Sequence, residues 1–125
     1  MQTMRVLVVD DDPELAELIS EQLSAWDCEP TSAGCVDEAV ALLTTHSFDL
    51  VLSDLHMPRR SGFELLRLVQ ENWSSTPMIL FSSFASAETK RQALERGARR
   101  FLSKPFSLDA LREAVESEVR RTPLP

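Results

Sequence analysis

The sequence lacks three features that would each point to a particular class of protein. No apolar run approaches the ~20 residues of a membrane-spanning helix, and the N-terminus lacks the basic start and long apolar stretch of a signal peptide. Only two cysteines occur, and Cys28 and Cys35 lack the spacing of metal ligands, which favours reduced thiols in a cytoplasmic protein. Acidic residues outnumber basic ones by 20 to 13, and the net charge of −7 disfavours nucleic-acid binding by this segment. We therefore expect a cytoplasmic location and no binding to membrane or nucleic acid.

The length and the C-terminal composition predict one domain. A chain of 125 residues is large enough to bury one core but not two. The last residues, Arg-Arg-Thr-Pro-Leu-Pro, offer no helical continuation. We predict a domain over residues 1–121 and a tail or the start of a linker over residues 122–125.

Strand and helix signals alternate five times along the chain. The runs Val6–Val9, Leu50–Leu52 and Met78–Phe81 are apolar without alternation, as expected for parallel strands that are covered on both faces. A strand near Glu29–Ser32 contains Pro30, which cannot donate a ladder hydrogen bond and therefore belongs at a sheet edge. The pattern predicts an α/β fold in which helices cover both faces of a doubly wound parallel sheet.

Helix boundaries are marked by capping residues. Asp12 followed by Pro13 predicts the start of the first helix, and the Ser-x-x-Glu capping box from Ser61 to Glu64 predicts the third. A fourth, weakly amphipathic helix is expected to end at a left-handed Gly97. We expect a third strand over Phe48–Ser53. The last helix is expected after Ser107, and one of its faces carries Leu108, Leu111, Val115 and Val119.

Four apolar runs end in polar residues suited to phosphoryl chemistry. Asp10 and Asp11 follow the first strand, Asp54 follows the third, and Ser82 and Lys104 follow the fourth and fifth. Functional groups of parallel α/β sheets gather beyond the carboxyl ends of the strands. The acidic run by itself is also compatible with a solvated turn that caps a helix. Together, the three carboxylates, the hydroxyl and the ammonium indicate a site for a divalent cation and a phosphoryl group.

The chain resembles the receiver domains of response regulators in two-component signalling. The resemblance extends from Arg5 to about Arg121 and rests on five segments in order: Val8–Asp11, Asp54–Pro58, Gly62, Ser82–Ser83 and Lys104–Phe106. It implies a flavodoxin-like receiver fold with five parallel strands in the order 2-1-3-4-5. That order places the second strand at an edge, which Pro30 requires independently.

The resemblance also implies roles for individual residues. Asp54 would accept the phosphoryl group from a histidine kinase or a histidine phosphotransfer protein, and Lys104 would pair with the phosphoryl group or with Asp54. Mg²⁺ would be bound by Asp11 and Asp54 directly, by Asp10 mainly through water, and by the backbone carbonyl of His56. The protein would be a signalling domain that catalyses only its own phosphorylation and dephosphorylation.

Further residues match positions that the family uses for switching. The Ser82 hydroxyl would bond to the phosphoryl group, and Phe101 would change rotamer so that the face built from the fourth helix, the last strand and the last helix changes shape. Alternatively, Phe101 is simply a half-buried strand aromatic. Pro105 is a candidate for a cis peptide bond. Phosphorylation would control an output, with a possible homodimer. The loop arginines Arg59 and Arg60 either bind the phosphodonor or are solvated.

Two other functions remain open at this point. In a phosphatase resembling the haloacid dehalogenases, Asp10 would be the nucleophile, but nothing would then explain the segment Asp54–Pro58. A phosphorylation-independent interaction domain with the same fold would be favoured by a missing acceptor or lysine, and both Asp54 and Lys104 are present.

Overall fold

The computed structural model describes residues 3–121, with side chains described as far as residue 118, and it has the predicted alternation of strands and helices. The expected tail at 122–125 lies outside the described residues. The strands are β1 (Met4–Val9), β2 (Cys28–Ala33), β3 (Leu50–Asp54), β4 (Met78–Ser82) and β5 (Arg100–Ser103). The helices are α1 (Pro13–Ala25), α2 (Val36–Thr45), α3 (Gly62–Asn72), α4 (Ala87–Glu95) and α5 (Leu108–Arg121).

All strand pairs are parallel, and the strand order is β2-β1-β3-β4-β5. This order confirms the predicted receiver topology. Pro30 lies in the edge strand β2, opposite Val6 of β1. The expected third strand began two residues too early and ended one residue too early, because Phe48 and Asp49 lie in the preceding loop and Asp54 belongs to the strand itself. Within residues 3–121, no helix is both long and apolar enough to cross a membrane.

The core consists of two hydrophobic layers, one on each face of the sheet. Leu7 and Val9 point to the layer that includes α2 and α3, whereas Val6 and Val8 point to the layer that includes α1 and α5. Since successive strand side chains alternate between faces, a strand covered on both sides must be apolar throughout. The arrangement explains the unbroken apolar runs of the sequence.

The predicted apolar face of the last helix is buried in its middle and exposed at its start. Leu111 and Val115 are fully buried, whereas Leu108, the first residue of α5, is 46% exposed. The side chain of Val119 lies outside the described residues.

Caps begin the helices as predicted, with one change of partner. Asp12 Oδ1 accepts hydrogen bonds from the Glu14 and Leu15 amides, and Ser61 Oγ accepts one from the Glu64 amide. The Glu64 carboxylate, expected to complete the capping box, instead bonds to Arg60 Nε. A charged donor provides a stronger hydrogen bond than a neutral amide, and this preference explains the difference.

Candidate phosphoryl-acceptor site

The site lies at the point in the sheet where the order of strand addition changes from one side of β1 to the other. From β1 the chain crosses first to β2 on one side and later to β3 on the other, which opens a crevice beyond the ends of β1 and β3. The register pairs Val9 with Ser53, so the next residues, Asp10 after β1 and Asp54 at the end of β3, lie side by side. Helix α3 begins close behind this rim, since the Gly62 amide donates to the Leu55 carbonyl at 2.8 Å.

Asp10 is the most buried carboxylate of the site, at 2% exposure. Its Oδ1 accepts a hydrogen bond of 2.9 Å from the Asp12 amide. Burial raises the pKa of Asp10, and the nearby Asp54 charge acts in the same direction, while the Asp12 amide and Lys104 offset part of the effect. The folded protein therefore holds this carboxylate at a cost in stability.

One carboxylate oxygen from each of Asp10, Asp11 and Asp54 lies within 4.8 Å of the other two. Asp10 and Asp54 are buried, whereas Asp11 is exposed and opens the cluster to solvent. This donor set fits Mg²⁺, which prefers oxygen ligands and retains several waters. The His56 amide donates to Asp54 Oδ1 at 3.2 Å and thereby fixes the start of the loop that follows Asp54.

Lys104 approaches the cluster from the end of β5. Its Nζ lies 3.0 Å from Asp54 Oδ2 and 3.3 Å from Asp10 Oδ2. Burial alone would lower the pKa of Lys104, but the hydrogen bond to Asp54 and the charge of Asp10 outweigh it, and the pKa is raised. The Lys104 amide donates to the Ser82 carbonyl at 2.8 Å, and the Lys104–Pro105 peptide bond is cis.

The two expected switch residues are both buried. Ser82 is fully inaccessible, and its Oγ accepts a hydrogen bond of 3.0 Å from the Phe84 amide. Phe101 is 8% exposed and belongs to the same hydrophobic layer as Leu80, which it pairs with across the β4–β5 ladder. The aromatic side chain of Phe101 thus points into the protein in this conformation.

Two contacts near the site were not predicted from the sequence. The rings of His56 and Phe84 meet edge to face with centroids 5.3 Å apart, although Phe84 is 74% exposed. Arg60 forms ion pairs with Asp37 at 2.6 Å and with Glu64. Neither of the two expected alternatives, donor binding or solvation, included this structural role for Arg60.

Comparison with known proteins decides the family. The response regulator receiver domain matches residues 6–116, which include Asp10, Asp11, Asp54, Ser82 and Lys104. The chain belongs to the response regulator receiver domain family. The match covers the segment after Asp54 that the phosphatase hypothesis leaves unexplained.

Relatives of this receiver include parts of larger proteins of different kinds. Response regulator protein PilR of Pseudomonas aeruginosa is 38% identical over 120 residues, which make up 96% of this chain and 27% of PilR. Sensor histidine kinase RcsC of Salmonella typhi is 36% identical over 124 residues, or 95% of this chain and 13% of RcsC. Among solved structures, the Francisella response regulator 1452 receiver domain has a TM-score of 0.91 and 33% identity and covers 97% of this chain and 100% of that one. The receiver therefore spans well under half of either of these two curated relatives.

The raised pKa of Asp10 leads to a prediction for stability. Because the pKa of Asp10 in the folded state lies above the ordinary aspartate value of 3.8, the folded state binds more protons than the unfolded state between these two pKa values. Stability therefore falls as pH rises through that window. Asp10→Asn is therefore expected to raise the Tm by about 3–6 °C at neutral pH without Mg²⁺ and to flatten this pH dependence. Thermal unfolding followed by circular dichroism in EDTA, across acidic to neutral pH, measures both effects.

The matched control is Glu17→Gln, which neutralises an exposed carboxylate on α1 and is expected to leave the Tm almost unchanged. Added Mg²⁺ should stabilise the native receiver more than it stabilises the Asp10→Asn variant, since the variant lacks one carboxylate of the cluster. An Asp10→Asn protein that melts below the native one in EDTA would contradict this account of the buried charge.

Proposed function

We propose that this receiver accepts a phosphoryl group on Asp54 from a histidine kinase or a histidine phosphotransfer protein and thereby switches an output. The observation that carries the proposal is the placement of Lys104 Nζ 3.0 Å from Asp54 Oδ2, beside three clustered carboxylates. A lone strand-end aspartate would have neither a fixed ammonium nor neighbouring ligand oxygens. The domain is a switch and not an enzyme that turns over an external substrate.

The transfer is a substitution at phosphorus. An Asp54 carboxylate oxygen forms the new P–O bond, the P–N bond to the donor imidazole breaks, and the electron pair leaves with that nitrogen. Lys104 is a compact positive charge that stabilises the negative phosphoryl oxygens. The His56 amide, bonded to Asp54 Oδ1, orients the carboxylate.

A metal ion completes the proposed site. Asp10, Asp11, Asp54 and the His56 carbonyl would hold Mg²⁺, with Asp10 acting mainly through water. When bound, Mg²⁺ would neutralise the carboxylates and stabilise charge on the phosphoryl oxygens. The partial exposure of the cluster leaves space on the solvent side for the donor.

Ser82 and Phe101 would transmit the change to the surface. The Ser82 hydroxyl, now bonded to the Phe84 amide, would turn toward a phosphoryl oxygen. Charge-assisted hydrogen bonds of this kind could supply the ~3–5 kcal/mol of differential interaction that a large population shift requires. The face built from α4, β5 and α5 would then control an output or a homodimer. Helix α4 can respond because Ala93 is the one buried residue of its described range, 87–95, so little of the helix is held in the core.

The proposal is tested by intact mass after incubation with acetyl phosphate. The native protein is expected to gain one phosphoryl group (~80 Da) with Mg²⁺, and EDTA or Asp54→Asn is expected to abolish the gain. A gain that survives in Asp54→Asn would overturn the assignment of the acceptor. If neither acetyl phosphate nor a histidine-phosphorylated phosphotransfer domain produces any gain, the chain is a phosphorylation-independent interaction domain.

A further inference from the structure

Arg60 ties together two helices beside the metal-binding cluster. Its Nη1 lies 2.6 Å from Asp37 Oδ1 in the first turn of α2, and its Nε bonds to Glu64 in the first turn of α3. Only about a third of the Arg60 side chain is exposed. One guanidinium therefore bridges two helix N-termini whose carboxylates would otherwise repel each other.

Arg60 lies near the end of the loop between β3 and α3, residues 55–61. The Arg60 amide bonds to the Pro58 carbonyl at 2.8 Å, which closes a three-residue turn around Arg59. Arg59 has a φ of 71°, a conformation that is strained for a residue with a side chain. Strained turns persist where the surrounding structure holds them, and the ion pairs of the next residue, Arg60, supply that constraint here.

This loop forms one wall of a groove next to the proposed metal ligands. The groove has a volume of about 300 Å³ and is lined by Asp11, by the start of α2 and by Pro58–Arg60. His56, whose carbonyl is the proposed fourth ligand, lies in the same loop. The position of the loop relative to Asp11 therefore decides whether the ligand set is complete.

We infer that Arg60 is a positioning residue for Mg²⁺. Arg60 would act through the loop and not as a ligand: its bridge from Asp37 to Glu64 holds the strained turn, and the turn would restrain the rest of the loop, which carries the proposed His56 ligand. This inference rests on the proposed function, because it concerns the same metal site.

Electrostatics and positioning predict opposite results for loss of the guanidinium. Arg60 is a positive charge near a cation site, so its charge alone weakens Mg²⁺ binding, and its removal would tighten binding. Loss of the bridge frees the loop and weakens binding. Removing the outer residues that orient metal ligands typically weakens affinity by 10–100-fold. Since Arg60 acts through the backbone, we expect the lower end of that range, about tenfold.

The test compares Arg60→Gln with Arg67→Gln by calorimetric titration with Mg²⁺. Arg67 pairs with Glu71 at 2.6 Å on the same helix, so it is a matched control for loss of an ion pair on α3. Arg60→Gln should bind Mg²⁺ about tenfold more weakly, whereas Arg67→Gln should bind like the native protein. The Tm should fall by a similar small amount in both variants.

Arg60→Lys separates charge from geometry. The variant keeps the positive charge, but a single ammonium lacks the planar fork that serves two carboxylates in fixed directions. If Arg60 acts by positioning, Arg60→Lys should bind Mg²⁺ more weakly than the native protein. If Arg60 acts only through its charge, the variant should bind Mg²⁺ with the native affinity. As a second readout, the rate of phosphorylation by acetyl phosphate should recover to the native value at saturating Mg²⁺ in both Arg60 variants, which a partly misfolded protein would not do.

The outcomes distinguish this inference from the function on which it rests. If the native protein binds Mg²⁺ and both Arg60 variants bind it equally or more tightly, positioning by Arg60 is overturned and the proposed function stands. If the native protein binds no Mg²⁺ and gains no phosphoryl group from any donor, the proposed function itself fails and the inference fails with it.

Discussion

Lys104→Met is expected to slow phosphorylation of Asp54 by about two to three orders of magnitude, the usual cost of removing one preorganised group that stabilises transition-state charge. The reason is the position of Lys104 Nζ, 3.0 Å from Asp54 Oδ2 and 3.3 Å from Asp10 Oδ2. From there the ammonium can stabilise negative charge on the Asp54 carboxylate and then on the oxygens of the phosphoryl group. The measurement is the observed rate of mass gain with acetyl phosphate at saturating Mg²⁺.

Metal binding and catalysis should separate in this variant. Removing a cation from beside three carboxylates reduces repulsion of Mg²⁺, so Lys104→Met is expected to bind Mg²⁺ at least as tightly as the native protein while reacting slowly. Lys90→Met, which removes an exposed lysine of α4, serves as the control and should react at the native rate. A Lys104→Met rate within about threefold of the native rate would show that the ammonium does not stabilise the transfer.

Gly62→Ala is expected to lower the free energy of unfolding by about 3 kcal/mol or more, at the upper end of the cost of overpacking. A Cβ at Gly62 would lie 2.5 Å from the Asp54 carbonyl oxygen and 2.9 Å from Leu55 Cα. Both are backbone atoms at the end of β3, so neither can rotate away. The expected fall in Tm is about 10 °C, measured by thermal or urea unfolding.

Gly34→Ala is the matched control for Gly62→Ala. The nearest atom to a Cβ at Gly34 is the flexible Oε2 of Glu38, at 3.9 Å. This variant should remain within about 0.5 kcal/mol of the native stability. If Gly62→Ala were equally harmless, helix α3 would not need its close approach to the end of β3.

Local chemistry explains why most of the fold is predictable from sequence. Pro30 excludes a central strand, Asp12 and Ser61 supply helix caps, and the left-handed conformation at Gly97, with φ of 105°, suits glycine. Each signal depends on a residue's own backbone requirements or on neighbours in sequence. The strand order needed more, because it came from the edge position of Pro30 together with the family resemblance.

Contacts between distant residues could not be predicted in the same way. Lys104 and Asp10 are 94 positions apart, and the strand-end pattern predicted only that they share one edge of the sheet, not that they form an ion pair. No sequence pattern links Arg60 to Asp37, 23 positions earlier, because the contact exists only once α2 and α3 pack side by side. The Glu64 side chain was mispredicted for a different reason, since its partner Arg60 is only four positions away and replaced the expected capping amide because it is charged.

The most direct test of the central claim is to locate the phosphoryl group chemically. After phosphorylation with acetyl phosphate and Mg²⁺, borohydride reduces an aspartyl phosphate to homoserine, which peptide mass spectrometry can assign to one position. We predict homoserine at position 54, with Asp10 and Asp11 unchanged. Homoserine at position 10 or 11, or a phosphoprotein that yields none at position 54, would contradict it.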